Sequence, residues 1–239
     1  MPSGPLLAFD TGSPVVSVAL ALPDRVDTLA TPQGRSSREL IAMIDELLAG
    51  AGLEARDLEG VGAARGPGSF TGLRVGLATA IGLHQASGVR AGAVSTFDVL
   101  ASHYAERAAA PSPAILAVVD AHRDRWFIQR VRLGTDGAAQ ADGPHEIGSR
   151  ADLECSALPV VGHGVSALKA PAGAVEATEL APTMLRRMRN GEFSWDLATL
   201  AEPLYLRPPA TSAPKLVRSK HAPRKAANDY EGRRAPNER

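Results

Sequence analysis

Three stretches of this 239-residue sequence combine residue types and spacings that suit chemistry. The first is Gly66-Pro67-Gly68-Ser69-Phe70-Thr71-Gly72-Leu73-Arg74-Val75-Gly76, between a short apolar run and a helix of small residues. Glycines there permit close backbone approach, and a helix start offers unpaired N–H groups that suit an anion. Gly66, Gly68, Ser69, Thr71 and Arg74 would then face a phosphate. The segment lacks the Gly-Lys-Ser/Thr of a P-loop. Its Gly-x-Gly-x-x-x-Gly spacing is not the dinucleotide fingerprint, and position 92, where an acid would follow, is glycine. Spacing alone therefore favours a tight turn with close helix packing. The second stretch, Asp10-Thr11-Gly12-Ser13, ends the first apolar run. In a phosphotransfer fold Asp10 would hold a metal, and Thr11 and Ser13 a phosphate; taken alone, the stretch reads as an Asx turn. The third, Asp120-Ala121-His122-Arg123-Asp124-Arg125, reads as a charged turn between strands.

Other chemistries lack support. The six histidines form no His-x-x-x-His pair and Cys155 is the sole cysteine, so the sequence offers no zinc site. No Gly-x-Ser-x-Gly elbow occurs.

The elements that must position these stretches follow from periodicity. Leu6–Asp10, Val15–Leu22 and Arg25–Thr31 read as strands joined by Gly12-Ser13-Pro14 and Pro23-Asp24, an antiparallel meander. Leu40, Ile44, Leu47 and Ala51, with Ile41 and Leu48 beside them, mark an amphipathic helix from Ser36 or Ser37 to Gly50 or Gly52. A strand at 60–64, a helix at 71–87, a strand at 91–95 and a helix at 97–109 follow. Strand-like patterns restart at 115–119 and 126–133, with shorter signals at Val160-Val161 and a helix near Met184–Arg189. The order implies a mixed sheet flanked by helices. Along the helix at 71–87, Gly72, Gly76 and Ala80 recur every four residues and leave one face nearly flat. That face packs on a partner helix or on the domain's own sheet, and spacing does not separate the two.

Composition is that of a soluble globular chain, with 44% apolar and 22% charged residues. A lone cysteine fits a reducing compartment, and no segment reads as a signal peptide or membrane span. The zero net charge hides an asymmetry. From Thr211 onward there are eight Lys or Arg and three Asp or Glu, leaving 18 basic and 23 acidic residues before it, so the tail carries +5 and the body −5. The tail reads as a disordered, solubilising extension.

Several pieces resemble the TsaB (YeaZ) family in order along the chain. Leu6-Leu7-Ala8-Phe9-Asp10-Thr11 resembles its opening strand and turn, and Ile44-Asp45-Glu46-Leu47-Leu48 its first helix. The segment from Gly66 to Gly76 resembles its glycine motif, Asp120-Ala121-His122-Arg123-Asp124 its Asp-Ala-Arg turn, and Leu204-Tyr205-Leu206-Arg207-Pro208 its closing motif. The resemblance implies an α/β fold with two lobes, of the ribonuclease H-like kind shared by actin, heat-shock chaperones and sugar kinases. The lobes would span 1–110 and 111–208, with a basic tail over 209–239. It further implies a cytoplasmic, non-catalytic platform for placing a threonylcarbamoyl group on adenosine 37 of ANN-reading tRNAs. The expected partners are a TsaD-like catalytic paralogue, a TsaE-like ATPase, tRNA through the complex, and a second copy when the chain is alone. This chain would bind no cofactor or metal by itself; ATP or ADP and a divalent metal belong to the partners. The partner surface expected from the family comprises Leu40, Ile41, Ile44, Leu48, Gly72, Leu73, Gly76, Thr79, Ala80 and Leu83. The family often carries a histidine near Ser36; serine there is a competent helix cap. The competing readings are a small-molecule kinase of the same fold class, with Asp10 as its metal partner, a peptidase, and a structural homodimer.

Overall fold

The computed structural model of the chain describes residues 2–32, 36–108, 110, 112–134 and 139–206. The basic tail, Arg207 and Pro208 of the closing motif, and the side chain of Ser36 lie outside the described residues.

The first sheet has the order β3-β2-β1-β4-β5. Its central strand β1 (Leu6–Asp10) pairs antiparallel with β2 (Val15–Ala21) and parallel with β4 (Gly60–Ala64). β3 (Val26–Pro32) continues the meander, and β5 (Arg90–Val94) adds a second parallel edge. The second sheet repeats the scheme. Its central strand β6 (Ala114–Asp120) pairs antiparallel with β7 (Arg125–Leu133) and parallel with β10 (Val160–Gly162), which is followed by β11 (Ala174–Glu176). β8 (Ala139–Ala141) and β9 (Glu146–Ser149) both pair with β7. Two mixed sheets built on one repeated strand order, flanked by helices, are the two-lobed ribonuclease H-like fold expected from the sequence.

Every residue of β1 is buried, because the strand is covered on both faces. Leu7 and Phe9 point into a core with α1 (Ser36–Ala51) and α2 (Phe70–Ser87). Leu6 and Ala8 point the other way, into a core with α3 (Thr96–Arg107) and α5 (Ala181–Asn190) that also takes one face of the second sheet. Alternate Cβ directions along a strand produce this split. Full burial of Leu6, Leu7 or Phe9 contributes about 1.5–3 kcal/mol each. The outer face of the second sheet is closed by α4 (Arg150–Glu154) and the short turn Val165–Ala167.

Residues 191–203, between α5 and the closing motif, were not read from the sequence. Gly191, at φ 79°, stops the helix, and residues 193–206 return to the first sheet. Phe193 and Trp195 lie on Gly62 and Gly60, where built Cβ atoms would stand 3.1 and 2.3 Å from the rings. The segment then rounds the β5 edge, where the Ala93 N–H donates to Thr199 Oγ1 at 2.8 Å. From there α6 (Ala198–Ala201) inserts Leu200 into the core beneath α2. This strap covers a strand edge that would otherwise present unpaired backbone groups.

Candidate partner surface and the loops beneath it

Asp10 ends β1 and is fully buried. Its Oδ1 accepts the Gly12 N–H at 2.8 Å, which makes the expected Asx turn. Oδ2 has no hydrogen-bond partner among the described residues. Burial pushes the Asp10 carboxyl above its ordinary pKa, against the Ser13 hydroxyl, the Gly12 N–H and the nearby His163, which pull it down.

The glycine segment is folded onto this turn. The Ser69 N–H donates to the Gly12 carbonyl at 2.8 Å, and Thr11 Oγ1 donates to the Gly72 carbonyl at 2.7 Å. A Cβ at Gly68 would stand 2.6 Å from the Gly12 carbonyl oxygen, so only glycine lets the two loops meet. Ser69 Oγ accepts the Gly72 N–H at 3.3 Å and caps α2. Of the N–H groups at the helix start, that of Gly72 is thus satisfied from within. Of the residues expected near a phosphate, Asp10, Thr11, Ser13 and Gly66 are buried, Gly68 and Ser69 are half-buried, and Thr71 and Arg74 are exposed. The structure packs the group into one joint, with Thr71 and Arg74 at its surface. No cluster of three or more His, Cys, Asp or Glu able to hold a metal occurs among the described residues.

The expected partner surface is divided by the same packing. Leu40, Ile44 and Leu48 of α1 and Gly72, Leu73, Gly76 and Ala80 of α2 are buried in this chain's own core. The small-residue face therefore serves the sheet: a Cβ at Gly76 would stand 2.5 Å from Thr11 Oγ1 and 3.8 Å from Phe9. Those seven residues are not available to a partner. Ile41, with 47% of its surface exposed, stays outside, and Thr79 and Leu83 are half-buried.

What faces outward is a second strip that sequence reasoning missed. On α2 it holds Ala78 and Gly82, with Ala86 in the last turn, in line with the exposed Arg74; on α1 it holds Ile41, Ala42 and Ala49 beside the exposed Asp45 and Glu46. Gly82 has open space where its side chain would be. The signal was present, since Ala78, Gly82 and Ala86 also recur every four residues. It was masked by the equally small inner stripe.

The closing motif lands beside the helix start. The Leu204 N–H donates to the Arg65 carbonyl at 2.7 Å. Tyr205 stacks on Phe70 with ring centroids 4.7 Å apart, and its hydroxyl accepts from Arg74 Nε at 3.0 Å. The Arg74 guanidinium lies 3.9 Å from the centre of the Phe70 ring. Elsewhere, a cavity of about 190 Å³ between α3 and α5 is lined by Ser102, Glu106, Arg186, Arg187, Asn190 and Glu192. Its charges are already paired, Arg186 with Glu106 and Arg187 with Glu192.

Residues 32–146 match the family described as TsaD: tRNA N6-adenosine threonylcarbamoyltransferase. A protein named tRNA threonylcarbamoyladenosine biosynthesis protein TsaB from Haemophilus influenzae is 33% identical over 129 residues, 53% of each chain. The Escherichia coli protein of the same name is 35% identical over 80 residues, 33% of this chain and 34% of that one. The match thus spans about half the length of these curated relatives, or less. Among solved structures, YeaZ from Pseudomonas aeruginosa superposes with a TM-score of 0.68 at 24% identity, covering 85% of this chain and all of that one. A second Pseudomonas aeruginosa structure, titled an uncharacterized protein with similarity to peptidase YeaZ, gives 0.69 at 25% identity over the same shares. Sequence over the matched stretch and fold over most of the described residues agree: the chain is similar to proteins named TsaB over that stretch and shares the fold of the YeaZ structures.

Proposed function

We propose that this chain is a non-catalytic platform subunit in the threonylcarbamoylation of adenosine 37 in ANN-reading tRNAs, and that it docks a TsaD-like catalytic paralogue on the outer faces of α1 and α2. The observation that carries the docking is the strip of Ile41, Ala42, Ala78 and Gly82. These four residues are uncharged and exposed, on helices whose inner faces are already used, with the exposed Asp45 and Glu46 of α1 and Arg74 of α2 beside them. A partner helix can approach such a strip closely, and Ile41 adds exposed apolar area to bury. The relatives' names and the TsaD family match support the pathway. A match to the catalytic paralogue's family is compatible with a platform role, because the sequence lacks the His-x-x-x-His that holds the paralogue's metal.

On this reading the lobes divide at 1–110 and 111–208, with the strap returning to the first lobe. Nucleotide and divalent metal reside in the TsaD-like and TsaE-like partners, and tRNA is reached through the complex. Function in the cytoplasm belongs to the same proposal; no described helix is long and apolar enough to cross a membrane. The kinase alternative requires an accessible metal-binding acid, and Asp10 is sealed beneath the glycine segment.

The test is co-purification of the TsaD-like paralogue with Ile41→Glu and Ala78→Glu variants. Both positions are exposed, so the fold is kept. Loss of the paralogue is expected, and undiminished complex would refute the surface. Charges at Gly76 or Ala80 would not serve, because they would break this chain's own core. A wild-type chain that only self-associates through the same strip would favour the homodimer.

A further inference from the structure

The cavity between α3 and α5 shares no residue with the docking strip or the glycine joint. Its lining carries two cations, Arg186 and Arg187, and two carboxylates, Glu106 and Glu192, with the Ser102 hydroxyl and the Asn190 amide beside them. Arg186 is engaged on both arms of its fork: Nε and Nη2 each donate to the Glu106 carboxylate. Arg187 is not. The residue is only 9% exposed, yet its Nε has no hydrogen-bond partner among the described residues. Nη1 donates to Ser102 Oγ at 2.5 Å and Nη2 to the Glu192 carbonyl at 3.1 Å, which fixes the plane of the guanidinium. The Glu192 carboxylate stands 3.3 Å from Nη1, beyond the roughly 2.7–2.9 Å of a tight charge-assisted bond, and its side chain is 38% exposed. The Asp98 carboxyl, also near Arg187, is pushed above its ordinary pKa by burial. A buried guanidinium is thus held in place with one donor to spare and a loosely placed carboxylate next to it.

We propose that this cavity binds a small zwitterion, a free α-amino acid with a short side chain, with its carboxylate on Arg187 and its ammonium on the Glu192 carboxylate. Charge balance is the first argument. Two cations face two carboxylates, so a lone anion meets repulsion from Glu106 and Glu192, and a lone cation meets it from the arginines. A zwitterion offers each sign its opposite. The second argument is adjacency. Arg187 and Glu192 present opposite charges side by side, and an α-amino acid carries its ammonium and carboxylate on one carbon. The third is the spare donor: a carboxylate on Arg187 satisfies the Nε N–H, whose burial without a partner costs free energy. The fourth is size. The volume of about 190 Å³ exceeds the roughly 30 Å³ share of one water and falls below the roughly 300–1,000 Å³ of sites for drug-sized ligands, which excludes a nucleotide. A bound amino acid ties α3 to the turn at Gly191 and Glu192 from which the strap departs. The site is independent of the platform reading, since none of its residues lies on α1 or α2.

The test is isothermal calorimetry on the full chain at neutral pH. Alanine and threonine are the probes, acetate and ethylammonium the single-charge controls, and tryptophan the oversized one. Alanine and threonine are expected to bind with Kd of about 1 mM or tighter, and all three controls at least about tenfold more weakly. Glu192→Gln, at an exposed position that keeps the fold, removes the partner of the ammonium and frees Arg187. Alanine binding should then weaken about tenfold while acetate binding tightens. Absence of saturable binding by both amino acids would overturn the site, as would acetate bound by the wild type as tightly as alanine. A folded Glu192→Gln chain that binds alanine like the wild type would overturn it too. None of these readouts involves the TsaD-like partner, so the site and the platform reading stand or fall separately.

Discussion

The turns that follow the two central strands start from the same device. Asp10 Oδ1 accepts the Gly12 N–H at 2.8 Å, and Asp120 Oδ1 accepts the His122 N–H at 2.7 Å. Beyond that bond they diverge. The first turn is buried under the glycine segment and holds a carboxyl with a raised pKa. The second is open: the Asp120 side chain is 47% exposed, and His122, Arg123 and Asp124 all have φ near 60°, the left-handed region that costs non-glycine residues energy. The cause lies in the next connection. Between β4 and β5 the chain inserts the 18-residue α2, whose start closes over Asp10. Between β10 and β11 the equivalent place holds only the three-residue turn Val165–Ala167. One strand order thus gives a sealed acid or a solvated one according to the length of a helix, and the strip proposed for docking lies on the long helix and its neighbour α1.

The largest expected effect comes from breaking the seal. Gly76→Glu drives a carboxylate into Thr11 and should cost several kcal/mol, on the order of 3–5, or prevent folding. Gly82→Glu, on the outer face of the same helix, should stay within about 0.5 kcal/mol in urea unfolding. Equal losses at the two positions would erase the distinction between the faces of α2.

Acid titration separates the turns once His103 is accounted for. Burial, together with the Arg107 charge, lowers the pKa of this histidine to about 4 from 6.5. The ring nitrogens face Arg107 and the Glu176 carbonyl, and Glu106 and His163 stand nearby. A lowered histidine pKa means that the unfolded chain takes up the proton first. Its stabilising contribution, on the order of 3 kcal/mol, is therefore present at pH 7 and lost as pH falls from 6.5 towards 4. His103→Gln should remove that part of the slope in urea midpoints measured at pH 7 and 4.5.

Asp10 carries the opposite sign. Its folded pKa lies above 3.8, so the stability tied to its protonated form is present at low pH and lost as pH rises through the folded value. Asp10→Asn keeps the Oδ1 acceptor and should stabilise the chain by about 1 kcal/mol at pH 8, whereas Asp120→Asn should change it by less than about 0.5. Similar shifts from both would mean that the two turns share one environment after all. The smallest effect is expected at Arg123→Asn. Asparagine tolerates the left-handed region, so the melting midpoint should rise by the equivalent of about 0.5 kcal/mol.

Much of the frame was legible in the sequence, because strand alternation and helical period are local. The stripe of Leu40, Ile44 and Leu47 and the run Leu6–Asp10 announced their elements with few boundary errors. The direction of the α2 faces was not legible. Gly72, Gly76 and Ala80 permit close approach by a sheet or by a helix, and only Thr11 and Phe9, sixty residues earlier in the chain, decide which. The strap was hidden for a similar reason. Gly60 and Gly62 read as ordinary small strand residues until Trp195 and Phe193, more than 130 residues on, are seen to occupy the space above them.

The central claim is that the outer faces of α1 and α2 dock the catalytic partner. Its most direct measurement is mass analysis of tRNA nucleosides from cells lacking this gene, complemented with the wild-type chain or with the Ile41→Glu/Ala78→Glu double variant. The account predicts that threonylcarbamoyl-adenosine is lost on deletion, returns with the wild type, and stays absent with the folded double variant. Full restoration by the double variant, or persistence of the nucleoside in the deletion strain, would contradict it.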